Sequence, residues 1–208
     1  SRLGDCSGAV CTSLRRMTAH AASPVVVDSW ARRSVARNAL LVLGLTALTA
    51  ICSQVSIKLP NTDVPLTLQT FAVLAGAAAL GAERAVIAQV IYVVLAVGGV
   101  PVLAGGASGM DKVAGVTGGY IVGFVAASYV VGRIAERGAT RHVANTVMAY
   151  VAGSAVVYTL GVSWLAHAAH LSLRDAVVAG MVPFLVGDAL KALAAGAVLP
   201  AAWKLTGR

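Results

Sequence analysis

The chain has 208 residues, of which 58% are hydrophobic and 12% charged, and its mean hydropathy is +0.83. A soluble domain carries roughly 25% charged residues, so this composition excludes an ordinary soluble enzyme and points to a polytopic membrane protein. The net charge of +8 suggests nucleic acid at first sight, but basic residues in a membrane protein more often set orientation, which a loop-by-loop count tests.

Residues 1–34 carry no apolar period and are rich in Ser, Ala and Arg. We expect a basic, disordered arm there, followed by a membrane domain over residues 35–206. Met17 offers an alternative start, and residues 1–16 are expected to be dispensable. Cys6 and Cys11 lie in the arm and Cys52 in the first apolar run, with no second pair or histidine cluster beside them, so free thiols are expected.

Apolar runs broken by Pro, Gly and charge give six spans on the scale of roughly 20 residues that a bilayer demands. The first covers Val35 to Ile57, and a polar loop from Lys58 to Pro65 leads to the second, Leu66 to Leu80. A tight turn, Gly81 to Arg84, precedes the third, Ala85 to Val97. That span is short, which predicts that it continues into irregular backbone lined by protein rather than lipid. The continuation is Gly98 to Gly115, whose glycines and Pro101 disfavour regular helix. The fourth span runs from Thr117 to Val131, the fifth from Val143 to Ala166 and the sixth from Val182 to Trp203. Ser172-Leu173-Arg174-Asp175 has capping-box spacing and predicts a short helix ending near Pro183.

With the N-terminus inside, twelve Lys and Arg fall on inner segments and three, Lys58, Lys112 and Arg174, on outer loops, with Lys191 inside a span. This asymmetry predicts cytoplasmic termini and explains the basic charge without nucleic acid. The same orientation gathers the Lys58 to Thr70 segment, the glycine-rich loop and the start of the sixth span at the outer side, where a cavity open to the exterior is expected.

Within that sixth span Asp188 and Lys191 stand three residues apart, on one face of a helix. Ionisable residues at membrane depth usually face a cavity and mark a substrate path, although a pair that merely neutralises itself is the plainer alternative. Thr67, Gln69 and Tyr92 are candidates to enter the same cavity, or to serve as interfacial and packing residues. Gly105 and Gly106 are candidates for close backbone approach to a ligand. The glycine-rich stretch lacks the G-K-[ST] of a phosphate loop, and no H-E-x-x-H or G-x-S-x-G is present. No enzyme activity, metal site or cofactor is therefore expected. On the first span Gly44, Ala47 and Ala50 form a small-residue face suited to a partner helix or to packing within the chain.

Four separated segments carry a resemblance: Val64-Pro65-Leu66-Thr67-Leu68-Gln69-Thr70, Val100-Pro101-Val102-Leu103-Ala104-Gly105-Gly106, Thr117-Gly118-Gly119-Tyr120-Ile121-Val122-Gly123-Phe124, and Pro183-Phe184-Leu185-Val186-Gly187-Asp188-Ala189-Leu190-Lys191. They resemble the signature segments of the BioY family, the biotin-binding S components of energy-coupling-factor (ECF) transporters, in order over roughly Val35 to Trp203. The resemblance implies an all-α, six-helix subunit of the cell membrane that captures biotin from outside. It implies partners too: a transmembrane coupling subunit and two cytoplasmic ATPases that use ATP, although some members lack dedicated partners. It also implies that Asp188 and Lys191 contact the vitamin. Val186, where Pro is frequent, and Met110-Asp111-Lys112 depart from the usual pattern. Two alternatives stand beside this reading. One is an S component for another vitamin. The other is a small secondary transporter, which would show internal repeats that are not seen here.

Overall fold

A computed structural model describes residues 25–29, 34–58, 62 and 64–205. Helix dominates, as expected, with one small exception. The elements in chain order are α1 (Val35–Gln54), β1 (Ser56–Ile57), β2 (Leu66–Thr67), α2 (Gln69–Leu80), α3 (Ala82–Val97), α4 (Met110–Val113), α5 (Gly118–Ala135), α6 (Val143–Ala168), α7 (Leu173–Gly180) and α8 (Leu185–Leu205). Four helical stretches are long and apolar enough to cross a membrane: Val35–Gln54, Gly118–Ala135, Val143–Ala168 and the α7–α8 stretch Leu173–Leu205.

Several boundaries differ from the sequence reading, each for a local reason. The first apolar run stops being helical at Gln54 because Ser56 and Ile57 pair antiparallel with Thr67 and Leu66, so the ladder satisfies backbone groups there. The second helix consequently begins at Gln69 rather than Leu66. The turn before α3 shrinks to Gly81, whose φ of +87° is open to glycine. Glu136 reaches across and accepts from the Ala82 amide at 2.9 Å, so α3 starts three residues earlier than expected. The irregular stretch after α3 contains the single-turn helix α4. At α7 the Ser172 hydroxyl accepts from the Asp175 amide at 3.2 Å, which is the predicted cap. The Asp175 carboxylate takes the Ser172 hydroxyl proton at 2.7 Å rather than reaching the backbone.

Helix packing relies on small residues and on hydroxyls with a partner. α5 lies along α6 with almost no room between backbones: a Cβ on Gly119 would stand 2.3 Å from the Trp164 Cβ and 2.4 Å from the Leu160 carbonyl. Close approach of this kind lets helices pack by contact where lipid offers no hydrophobic drive. Between α1 and α3, the Thr46 hydroxyl donates to the Ala88 carbonyl at 2.9 Å and the Gln89 amide to Thr49 at 3.2 Å. The apolar core joins Val73, Leu74, Ala77, Phe124, Ala127, Val131 and Val157. Large side chains such as Leu40, Leu43 and Ile51 face outward from α1, a surface that suits lipid rather than water.

The arm is not uniform. Val26–Ser29 forms a 3-10 turn, with Val25 and Val26 buried and Asp28 paired with Arg84 at 2.8 Å and Arg37 at 3.3 Å. The expectation of disorder to residue 34 is therefore corrected at residues 25–29, where two valines and a charge find partners on the helical body. Cys6, Cys11 and Met17 lie outside the described residues, while Cys52 is free and buried.

Candidate functional site

Asp188 and Lys191 sit in the first two turns of α8, where the helix dipole favours a carboxylate. Their ion pair measures 3.0 Å. Lys191 Nζ also donates to the Thr67 carbonyl and the Thr70 hydroxyl, both at 2.8 Å. An ammonium has three N–H donors, and all three are in use. On the acid side, Asp188 Oδ1 accepts from the Thr70 hydroxyl at 3.1 Å and Oδ2 from the Tyr158 hydroxyl at 2.5 Å. Asp188 is only 8% exposed, so this shell offsets a desolvation that would otherwise cost several kcal/mol per ion. A carboxylate offers about four lone-pair positions, and three are occupied, which leaves acceptor capacity for a ligand N–H.

The pair lies at one end of a cavity of about 520 Å3, a size ordinary for small-molecule sites. Tyr120, Phe124 and Phe184 supply aromatic walls, Leu66 and Val116 aliphatic ones. Lys58, Asp111 and Lys112 also line it and are exposed, which marks the mouth. The chamber is thus apolar at its sides, charged and dry at its inner end, and charged and wet at its opening. Such a space accepts a ring of low charge with N–H donors and a C=O acceptor inward, and an anionic tail outward.

Of the seven residues singled out from sequence, Asp188, Lys191, Thr67, Gln69 and Gly105 line this cavity. Tyr92 and Gly106 do not. Tyr92 is fully buried; its hydroxyl accepts from the Gln69 amide at 2.7 Å and donates to the Val102 carbonyl at 2.9 Å. Gly106 is exposed just beyond the lining. Gly105 and Gly106 have φ of +68° and +73°, with nothing within 4 Å of either Cβ position. Turn geometry, not crowding within the chain, is what requires glycine there.

Thr70 and Tyr158 were missed. Thr70 lies three residues after Thr67, a proximity that was available in the sequence. Tyr158 lies in an apolar helix that also carries Tyr150, and only the rotation of α6 against its neighbours decides which tyrosine meets the charge. A second cavity of similar size lies beside Asp28, Arg84 and Glu136, but these charged groups already bond one another or the Ala82 amide.

Against known proteins, the profile described as the BioY family matches residues 18–208. The biotin transporter BioY of Thermotoga maritima is 36% identical, covering 74% of this chain and 88% of that protein. The biotin transporter BioY of Rhizobium etli is 35% identical, covering 67% and 78%. Among solved structures, the S-component for biotin from an ECF-type ABC transporter superposes with a TM-score of 0.76, at 21% identity over 83% of this chain and 95% of that one. At that identity the likeness speaks for the fold alone. The match of motifs, of length and of architecture together place the chain in the BioY family.

Proposed function

We propose that this chain is the biotin-binding membrane subunit of a vitamin uptake system. The observation that carries the reading is the Asp188 and Lys191 pair at the dry end of an aromatic-walled cavity. Biotin's ureido group has two N–H donors and one carbonyl. A carboxylate with a spare lone pair accepts the former, and an ammonium that exchanges one of its protein partners donates to the latter. The valerate carboxylate then faces the mouth, beside Lys58 and Lys112. Relatives named as biotin transporters, at 35 to 36% identity, support the ligand class.

The chain crosses the cell membrane six times, by α1, α2, α3, α5, α6 and α8, with both termini in the cytoplasm. The twelve-to-three distribution of basic residues supports that orientation. α2 has 12 residues and α3 has 16, so at about 1.5 Å per residue neither spans a hydrocarbon core of about 30 Å unaided. Each is completed by backbone that is bonded to protein: the β1–β2 ladder before α2, and the glycine-rich loop after α3. Irregular backbone at membrane depth is tolerated under that condition.

A coupling subunit and two cytoplasmic ATPases supply the energy in this reading. The exposed position of Gly44 and Ala47 on α1, with nothing within 4 Å of a Gly44 Cβ, favours an outward contact over packing within the chain. The ligand assignment is tested by titrating the purified chain with biotin, thiamine and riboflavin. Saturable, tight binding of biotin alone is expected; tight binding of another vitamin without biotin overturns the assignment in favour of an S component of different specificity.

A further inference from the structure

The cavity's two ends are joined by a run of hydrogen-bonded residues, which passes through Thr67 from its backbone carbonyl to its side-chain hydroxyl. Asp188 pairs with Lys191 at 3.0 Å, and Lys191 donates to the Thr67 carbonyl at 2.8 Å. The Thr67 hydroxyl donates to Gln69 Oε1 at 3.3 Å, and Gln69 Nε2 donates to the Tyr92 hydroxyl at 2.7 Å. Tyr92 then donates to the Val102 carbonyl at 2.9 Å. Val102 lies three residues before Gly105, in the segment that roofs the cavity through Leu103, Ala104 and Gly105.

That segment has other ties to the helices: the Gly109 amide donates to the Ala96 carbonyl of α3 at 2.7 Å, and the Trp164 indole of α6 to the Gly115 carbonyl at 2.9 Å. The Val102 carbonyl also accepts from Ser53 at 2.6 Å, and the Leu103 carbonyl accepts from Gln54 at 3.1 Å. Ser53 and Gln54 hold the loop to α1 and make no bond to Gln69, so Tyr92 is the side chain that bonds both Gln69 and the loop. A separate backbone route runs from α1 through the Val55 carbonyl, which accepts from the Leu68 amide at 3.2 Å, and through the β1–β2 ladder. Tyr92 is also the largest fully buried side chain of the described residues. A phenol there needs partners for its hydroxyl, and it has found one on each side of the cavity.

We infer that Tyr92 is a positioning residue that makes the placement of the glycine-rich roof depend on occupation of the Asp188 and Lys191 end. The inference rests on the biotin-site reading above. Every N–H of Lys191 is already used, so a ligand carbonyl must take one from Thr67, Thr70 or Asp188, whose Oδ1 itself accepts from the Thr70 hydroxyl. Whichever it takes, β2 and the start of α2 adjust, and Gln69 carries the adjustment to Tyr92 and the roof. Coupling of this kind is reciprocal: if the ring favours the closed roof, a roof cut loose from the chain holds the ligand less well by the same factor. A run of contacts becomes evidence only when a perturbation at one end is read at the other.

Lys112, exposed in α4 within the same loop and lining the mouth, provides the reading at the roof end. Direct shielding by the bound ligand would persist in any variant saturated with biotin, so only a loss of protection at saturation reports the roof. The purified full chain is treated with trypsin, with and without saturating biotin, and cleavage at Lys112 is followed by mass alongside the biotin dissociation rate. In the wild type, biotin is expected to slow cleavage at Lys112. Tyr92→Phe keeps the ring and removes only the hydroxyl. It is expected to speed dissociation about tenfold, the scale of one or two neutral hydrogen bonds, and to lose most of the protection at saturating biotin. Ser53→Ala removes the other donor to Val102 without touching Gln69. It is expected to speed cleavage in the empty protein while retaining protection by biotin.

Full protection in Tyr92→Phe, or the same pattern in both variants, reduces Tyr92 to a structural anchor and overturns the inference. Should Tyr92→Phe fail to accumulate in the membrane, Gln69→Met cuts the same run one bond earlier. It must then lose protection at saturating biotin, and full protection there sinks the idea equally. A wild type that binds no biotin would instead overturn the functional reading itself, so the two failures are distinct.

Discussion

The two ends of the cavity are built on opposite physical plans. At the charged end, two ions on one helix face are held by Thr67, Thr70 and Tyr158, with every ammonium proton assigned and one carboxylate position spare. At the roof, the chain passes through Gly99, Gly105, Gly106 and Gly109, all at positive φ, and is tied down by a few side-chain donors to its carbonyls. The charged end is fully partnered, so a ligand there exchanges bonds already in place rather than ordering loose side chains. The roof is adaptable, as segments that close over a ligand are drawn from the less stable parts of a fold. In the function proposed above, specificity for the ring resides in α8 and retention in the loop.

The largest effect is expected at the charged end. Lys191→Met leaves Asp188 buried with only Thr70 and Tyr158, and loss of one member of a buried pair typically costs about 3 to 5 kcal/mol. Asp188→Asn keeps a carbonyl acceptor but removes the charge that assists it. Both variants are expected to insert and fold, and both to lose high-affinity biotin binding in calorimetric titration. Lys191→Met should also show the greater loss of thermal stability. Equal stability in the two would contradict the partner assignment around Asp188.

A smaller effect sharpens the contrast at the roof. With nothing within 4 Å of a Gly105 Cβ, Gly105→Ala meets no clash and bears only the cost of a left-handed backbone, about 1 to 2 kcal/mol. Biotin affinity should fall by roughly tenfold. Gly105→Asn, which tolerates that conformation better, should recover part of the loss. If Ala and Asn behave alike, backbone conformation is not what the glycine supplies.

The smallest effect belongs to the arm. Removing residues 1–16 should leave insertion and biotin binding unchanged. Extending the deletion through Ser29 takes Asp28 from Arg84 and two buried valines from the helical body, so thermal stability should drop. A drop already present in the shorter deletion would show that the arm has a role before residue 17.

Much of this was legible in the chain. The i,i+3 carboxylate and ammonium in an apolar run identified the polar centre, because few other arrangements of charge survive at that depth. The apolar runs located α1, α3, α5, α6 and α8 to within a few residues. What remained hidden depended on how helices rotate against each other. Tyr158 rather than Tyr150 donates to Asp188, and no pattern in α6 distinguishes the two. Tyr92 looked like a wall of the cavity and is instead a bolt behind it, since a tyrosine's direction is set by packing. The glycines announced an irregular loop, but the cause is positive φ rather than crowding. The Val25 to Ser29 turn was masked by its polar surroundings, two valines being too few to make a period.

The central claim is that Asp188 and Lys191 hold the ligand rather than only each other. A buried pair that merely neutralises itself can be replaced by uncharged groups at little cost, or with a gain in stability. The deciding measurement is a biotin titration of the purified Asp188→Asn, Lys191→Met double variant, with thermal unfolding recorded on the same sample. The account predicts a folded protein whose high-affinity binding is not restored by removing both charges. Wild-type affinity in the double variant would contradict it, and would move recognition to Gln69 and the glycine-rich roof.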